Sequence, residues 1–186
     1  MSATVPARAP SGVPVWDPLL RLAHWTLAFS VLAAIATGDD GGKWHERLGY
    51  VALGVVAIRL AWGWVGPARA RFADFVRSPR EVLDYTRRMI ARSEPRHLGH
   101  NPLGGAWIVV MLALVAATGV TGWALAILGE DEFEWIEDLH EGLANGLIGA
   151  LVVHLAGVAW ASLRHGENLV AAMLTGRKRA PRPGDD

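Results

Sequence analysis

Seven histidines, nine tryptophans and no cysteine set the chemistry open to this 186-residue chain. Without thiolates there is no cysteine-held zinc, no iron–sulfur cluster and no covalent haem attachment through a CxxCH motif. Any metal must be held by nitrogen or oxygen. Met111 and Met173 fall in no ligand pattern, so histidine is the ligand to follow. His24, His45, His140 and His154 lie in or at the ends of long apolar runs, where an ionisable ring is costly and marks a site. His140 and His154 are 14 residues apart, which is ~21 Å along a helix and within about 40° of one face. One helix therefore offers ligands at two depths, and His45 and His24 match those depths from other runs. Two imidazoles per level leave a tetrahedral zinc, copper or nickel ion short of ligands. A haem iron needs only two axial ligands, because the porphyrin supplies four nitrogens. The expectation is two b-type haems, one between His45 and His140 at the outer level and one between His24 and His154 at the inner. Arg59 follows His45 by 14 residues and so reaches the inner level, where it would neutralise a haem propionate; snorkelling to nearby headgroups is compatible with that role.

These residues must be carried by membrane helices. Of the chain, 52% is hydrophobic, its mean hydropathy is +0.24, and a formal net charge of zero points away from a nucleic-acid binder. Spanning hydrocarbon takes ~20 apolar residues, and four stretches qualify, at about 19–37, 44–65, 103–128 and 139–163. A signal peptide is the rival reading of the first, but residues 1–17 carry three prolines, a single basic residue and no clean cleavage site. The expected fold is an all-α, integral membrane four-helix bundle forming a single domain over residues 1–186. The segment from Pro67 to Asn101 and the tail from Arg164 to Arg182 are rich in arginine, while GEDEFEWIEDLHE before the fourth span has seven acids and no base. The positive-inside rule then makes both termini cytoplasmic. Trp16, Trp44, Trp62, Trp64 and Trp135 sit near span ends, as an interfacial belt requires.

Between the second and third spans, SPREVLDYTRRMIAR reads as a short amphipathic helix with Ser78 as N-cap, Pro79 in the first turn and Glu81 completing a capping box. Its Val82, Leu83, Met89 and Ile90 would face lipid or protein, with arginines on anionic headgroups. Asn101-Pro102 reads as the cap and first turn of the third span. Glycines 54, 119, 122, 142, 146 and 149 leave room either for a flat macrocycle or for close helix packing.

The segments VWDPLLRLAHW, HERLGYVALGVVAIRLAWGWVGP, GHNPLGGAW, TGVTGW and RHGENLVAAMLTGRKR together resemble the bacterial cytochrome b561 family, in the branch similar to the b-type cytochrome subunits of nickel–iron hydrogenases, over about Val15 to Arg179. The resemblance implies a four-helix di-haem cytochrome of the bacterial inner membrane that moves electrons between a quinone pool and a partner, such as a cytochrome c or a hydrogenase-like subunit. It assigns the axial positions to His24, His45, His140 and His154. His165 rivals His154 but lies 11 residues beyond it, ~16 Å farther along and outside the hydrocarbon; it remains a candidate for quinone or proton exchange, together with Asp17 and Arg21. His97 and His100 read as solvated or capping residues. The acidic outer loop would suit a basic partner. An enzyme oxidising superoxide at the outer face is a second expectation, weakened by an outer surface whose bases near the first loop are only Lys43 and Arg47. A haem-free scaffold or metal carrier is a third, and it leaves the paired depths unexplained.

Overall fold

A computed structural model describes residues 12–38, 42–128 and 133–181. The turn GDDGG, the acidic residues 130–132, Arg182 and the proline-rich start weighed as a signal peptide fall wholly or partly outside these. A short strand, β1 (Val13–Pro14), leads into α1 (Pro18–Ala36), and α2 (Lys43–Val65) returns antiparallel to it. A 3-10 turn (Ala68–Ala70), α3 (Phe72–Phe75) and α4 (Pro79–Ile90) precede α5 (Pro102–Leu128) and α6 (Glu134–His165); α7 (Leu169–Thr175) and β2 (Arg177–Lys178) follow.

Among the described residues four helices, α1, α2, α5 and α6, are long and apolar enough to cross a membrane. They are apolar on nearly every side, and Phe29, Trp64, Val152 and Leu163 lie exposed on the bundle's exterior, the pattern of a helix solvated by lipid rather than water. At 32 residues α6 is ~48 Å long, more than the hydrocarbon thickness. It begins five residues before the span predicted from hydropathy, because Glu134 and Glu137 in its first turn suit the positive end of the helix dipole.

α1 packs on α2, α2 on α5 and α5 on α6. Ala52, Val56, Leu112, Val115 and Leu147 form the central apolar layer. β1 pairs with β2 antiparallel, Val13 opposite Lys178 and Pro14 opposite Arg177, and Val15, Trp16, Leu20 and Ala172 bury together beneath this ribbon. Gly176 closes α7 with φ +78°, and a Cβ there would lie 2.7 Å from the Trp16 carbonyl oxygen. Both described ends of the chain thus meet at one end of the bundle, here the terminal end; the other is the distal end. Two ion pairs brace the terminal end: Arg96 with Glu167, both almost wholly enclosed, and the exposed Arg164 with the buried Glu94 at 3.4 Å.

The capping box of α4 forms as its sequence predicts, with Glu81 N donating to Ser78 Oγ at 3.3 Å and Ser78 N donating to Glu81 Oε2 at 3.0 Å. α4 packs on α5, its Tyr85 is buried with its ring centre 5.5 Å from that of His97, and Leu83 and Ile90 stay exposed. Asn101 caps α5, accepting from Gly104 N at 2.7 Å. Two tryptophans depart from the belt reading. Trp16 is buried under the Lys178 ammonium, 5.6 Å from its ring, and Trp62 donates through Nε1 to Asp17 at 3.2 Å; Trp44, Trp64 and Trp135 are exposed.

Candidate functional site

The four histidines singled out from sequence come together as two pairs. At the distal level His45, in the first turn of α2, faces His140 of α6 with ring centres 6.0 Å apart. Both rings are held from behind. His45 Nδ1–H donates to the Ala34 carbonyl oxygen at 2.9 Å, one of the last carbonyls of α1, which also accepts from the capping Thr37 N at 3.2 Å. His140 Nδ1–H donates to the Thr118 carbonyl oxygen at 3.0 Å, and Thr121 Oγ1 lies 3.0 Å from the same nitrogen. Such bonds fix the ring and the tautomer and leave Nε2 free to bind a metal. Gly122 completes the cradle: a Cβ built on it would stand 2.9 Å from His140 Cε1. The TGVTGW segment of α5 is therefore the seat of the His140 ring, a role its residue types alone do not disclose.

At the terminal level His24 of α1 faces His154 of α6 with ring centres 6.4 Å apart. His24 Nδ1 is buried with no hydrogen-bond partner among the described residues. Arg59 is 6% exposed, which rules out a side chain that reaches water. Its guanidinium carbon lies 5.3 and 5.5 Å from the Phe72 and Phe75 ring centres, and neither Nη1 nor Nη2 has a hydrogen-bond partner among the described residues. Between the two levels, Ala52 and Val56 on α2 and Leu147 on α6 belong to the apolar layer, which excludes water from the interval. No group of three or more His, Asp or Glu side chains able to hold a metal ion occurs among the described residues.

The remaining polar candidates have structural work. Asp17 caps α1, accepting from Leu20 N at 3.0 Å, besides its bond from Trp62. Arg21 donates to the Leu174 carbonyl oxygen, tying α1 to α7. His165 ends α6, and its carbonyl oxygen accepts from Arg179 at 3.5 Å. His97 Nδ1 lies 3.1 Å from the Pro95 carbonyl oxygen. His100, expected to be solvated or capping, is instead enclosed between Trp16 and Phe75, with ring centres 4.5 and 4.9 Å away, and its Nδ1 is buried without a partner among the described residues.

Burial, then the nearby charges of Arg59 and Lys178, lower the His100 pKa to about 3. The folded state holds this ring neutral while the unfolded state protonates it below about 6.5, so its contribution to stability is complete above that pH and is lost as pH falls toward the folded value. His100→Phe keeps an aromatic ring between Trp16 and Phe75. The melting temperature of the wild type in detergent should therefore fall relative to that of His100→Phe as pH is lowered from 7.5 to about 4.5. A difference independent of pH would refute a neutral buried imidazole.

A profile of the prokaryotic cytochrome b561 family matches residues 15–176. The chain is 24% identical over 212 aligned positions to a protein of Bradyrhizobium diazoefficiens described as a probable Ni/Fe-hydrogenase B-type cytochrome subunit, covering 90% of this chain and 86% of that one. No solved structure matches it. The family match takes in all four long helices and both histidine pairs, and the chain belongs to the prokaryotic cytochrome b561 family, the membrane b-type cytochromes of electron transfer.

Proposed function

We propose that this chain is a di-haem cytochrome that carries electrons across the bacterial inner membrane between a redox partner and a quinone, with both termini cytoplasmic and α4 lying in the interface. His45 and His140 hold the haem at the distal, outer level, and His24 and His154 hold the other at the terminal, inner level. The observation that carries this reading is the spacing of the rings, 6.0 and 6.4 Å between centres. Two metal–imidazole bonds of about 2 Å, plus the roughly 1 Å from each bonding nitrogen to its ring centre, add to about 6 Å. The same gap at both levels suits one iron between each pair. Each haem, when bound, supplies a one-electron ferric–ferrous couple.

The protein's part is to hold, orient and insulate. The Ala34 and Thr118 carbonyls fix the distal rings, Arg59 offers its unpartnered guanidinium nitrogens to a propionate at the terminal level, and the layer of Ala52, Val56 and Leu147 keeps water from between the two. The basic terminal end suits the cytoplasmic face. At the outer face Glu134, Glu137, Asp138 and Glu141 stand beside the exposed Trp135 on the first turns of α6, a surface for a partner of the hydrogenase kind, as the Bradyrhizobium relative's name suggests, or for a basic cytochrome c.

The test is a reduced-minus-oxidised spectrum with haem quantified per chain, on wild type, His45→Ala and His154→Ala. The expectation is two b-type haems per chain, with each substitution removing about one. A preparation without haem, or one that neither substitution alters, would overturn the ligand assignment.

A further inference from the structure

The two histidine pairs differ in what their second ring nitrogens do. At the distal level both are bonded, His45 to the Ala34 carbonyl at 2.9 Å and His140 to the Thr118 carbonyl at 3.0 Å, with the Thr121 hydroxyl alongside. At the terminal level neither His24 nor His154 makes a hydrogen bond within the described residues, and His24 Nδ1 is buried without one. An imidazole that donates its N–H gains basicity and becomes a stronger electron donor to the metal it ligates, which favours the ferric over the ferrous state. Ligand hydrogen bonding is one of the levers by which a protein sets a haem potential.

Fixed charge acts in the same direction. Glu46, Glu134, Glu137, Asp138 and Glu141 gather at the distal end against Lys43 and Arg47, whereas at the terminal end the acids Asp17, Glu94 and Glu167 are outnumbered by bases, among them Arg21, Arg59, Arg69, Arg96, Arg164 and Lys178. A negative field favours the more positive oxidised state, and a positive field the reduced one, most strongly where the dielectric is low.

Resting on the di-haem reading above, we infer that the distal site is the lower-potential member of the pair and the terminal site the higher, and that Thr121 is a positioning residue that tunes the distal one. A single electron given to the protein holding both groups resides mainly at the terminal level.

The test is a potentiometric titration of the purified, haem-loaded full chain, following the reduced b-type absorption band in wild type, His45→Ala, Thr121→Val and Thr121→Ser. Wild type should titrate in two waves. His45→Ala should lose the lower one. Thr121→Val, nearly isosteric and still leaving the Thr118 carbonyl in place, should move the lower wave upward and leave the upper one unmoved, while Thr121→Ser, which keeps a hydroxyl, should restore the wild-type position. Retention of the lower wave in His45→Ala, or movement of the upper wave in Thr121→Val, overturns the ordering; a Thr121→Val titration identical to wild type overturns the role of Thr121. Failure of the di-haem reading looks different, since haem content would then be unchanged in His45→Ala. Should His45→Ala not fold, the Thr121 pair still identifies which wave belongs to the distal level.

Discussion

Replacing Arg59 by methionine should raise the stability of the haem-free chain and weaken haem retention at the terminal level. The opposed signs follow from the setting of the guanidinium. It is 6% exposed, lies against Phe72 and Phe75, and has two terminal nitrogens with no hydrogen-bond partner. Contact with two aromatic faces recovers part of the lost hydration, about 0.5–2 kcal/mol each at most. The carboxylate whose field reaches it is Asp17, but one oxygen of that group already accepts from Leu20 N and Trp62 Nε1. A buried cation in this state costs several kcal/mol on the scale of ~3–5 for a pair broken by loss of one partner. Methionine fills a similar apolar volume without that cost. With haem bound, the same substitution leaves a propionate in the interior without its cation, and 3 kcal/mol or so corresponds to a loss of roughly a hundredfold in affinity. Melting of the haem-free chain in detergent, set beside haem content per chain after gel filtration, decides it. A fall in both would mean that Arg59 is simply a packing residue; a rise in stability with undiminished haem would place its anion elsewhere.

The spans were legible because each needs only a run of apolar residues, and that property survives any arrangement of the bundle. The depths of the histidines were legible for the same reason: 14 residues on one helix fix a height whatever the helix packs against. Azimuth was not. Depth alone matches His24 with His154 and His45 with His140, but that the matched rings face one another depends on the order α1, α2, α5, α6 in the bundle, which no single stretch encodes. The cradle of the distal rings was hidden because its acceptors are the backbone carbonyls of Ala34 and Thr118, and a carbonyl has no sequence signature. TGVTGW could be quoted as a motif but not interpreted until His140 was seen resting on Gly122. His100 reads from sequence as solvated or capping because its enclosing rings come from Trp16 and Phe75, distant in sequence. Asp17 and Arg21, candidates for proton exchange by charge and position, hold a helix cap and an α1–α7 tie. Charge near a span end signals that a group is anchored, and its bonding partners decide what it does.

The glycines separate in the same way, and they carry the second large effect. Gly122→Val should abolish haem binding at the distal level while leaving the terminal level loaded, so that haem per chain falls by about half and the surviving wave is the terminal one. A Cβ at position 122 already stands 2.9 Å from His140 Cε1 and 3.3 Å from its Nδ1, closer than nonbonded carbon atoms settle. The ring cannot retreat along its own helix without leaving the Thr118 carbonyl, so relief comes by rotation, which breaks the Nδ1 bond and turns Nε2 away from His45. Gly122→Ala should do the same to a lesser degree. The controls are Gly142→Ala and Gly146→Ala on α6, where a built Cβ meets nothing within 4 Å; these glycines lie roughly 200–240° around the helix from His140, on an exposed face away from the paired rings, and they cannot serve as the approach for a macrocycle bound there. Their variants should keep both haems. Equal haem loss from position 122 and from position 142 would indicate a general weakening of helix packing in place of a seat for His140, and loss of the terminal haem alone from Gly122→Val would reverse the assignment of TGVTGW to the distal pair.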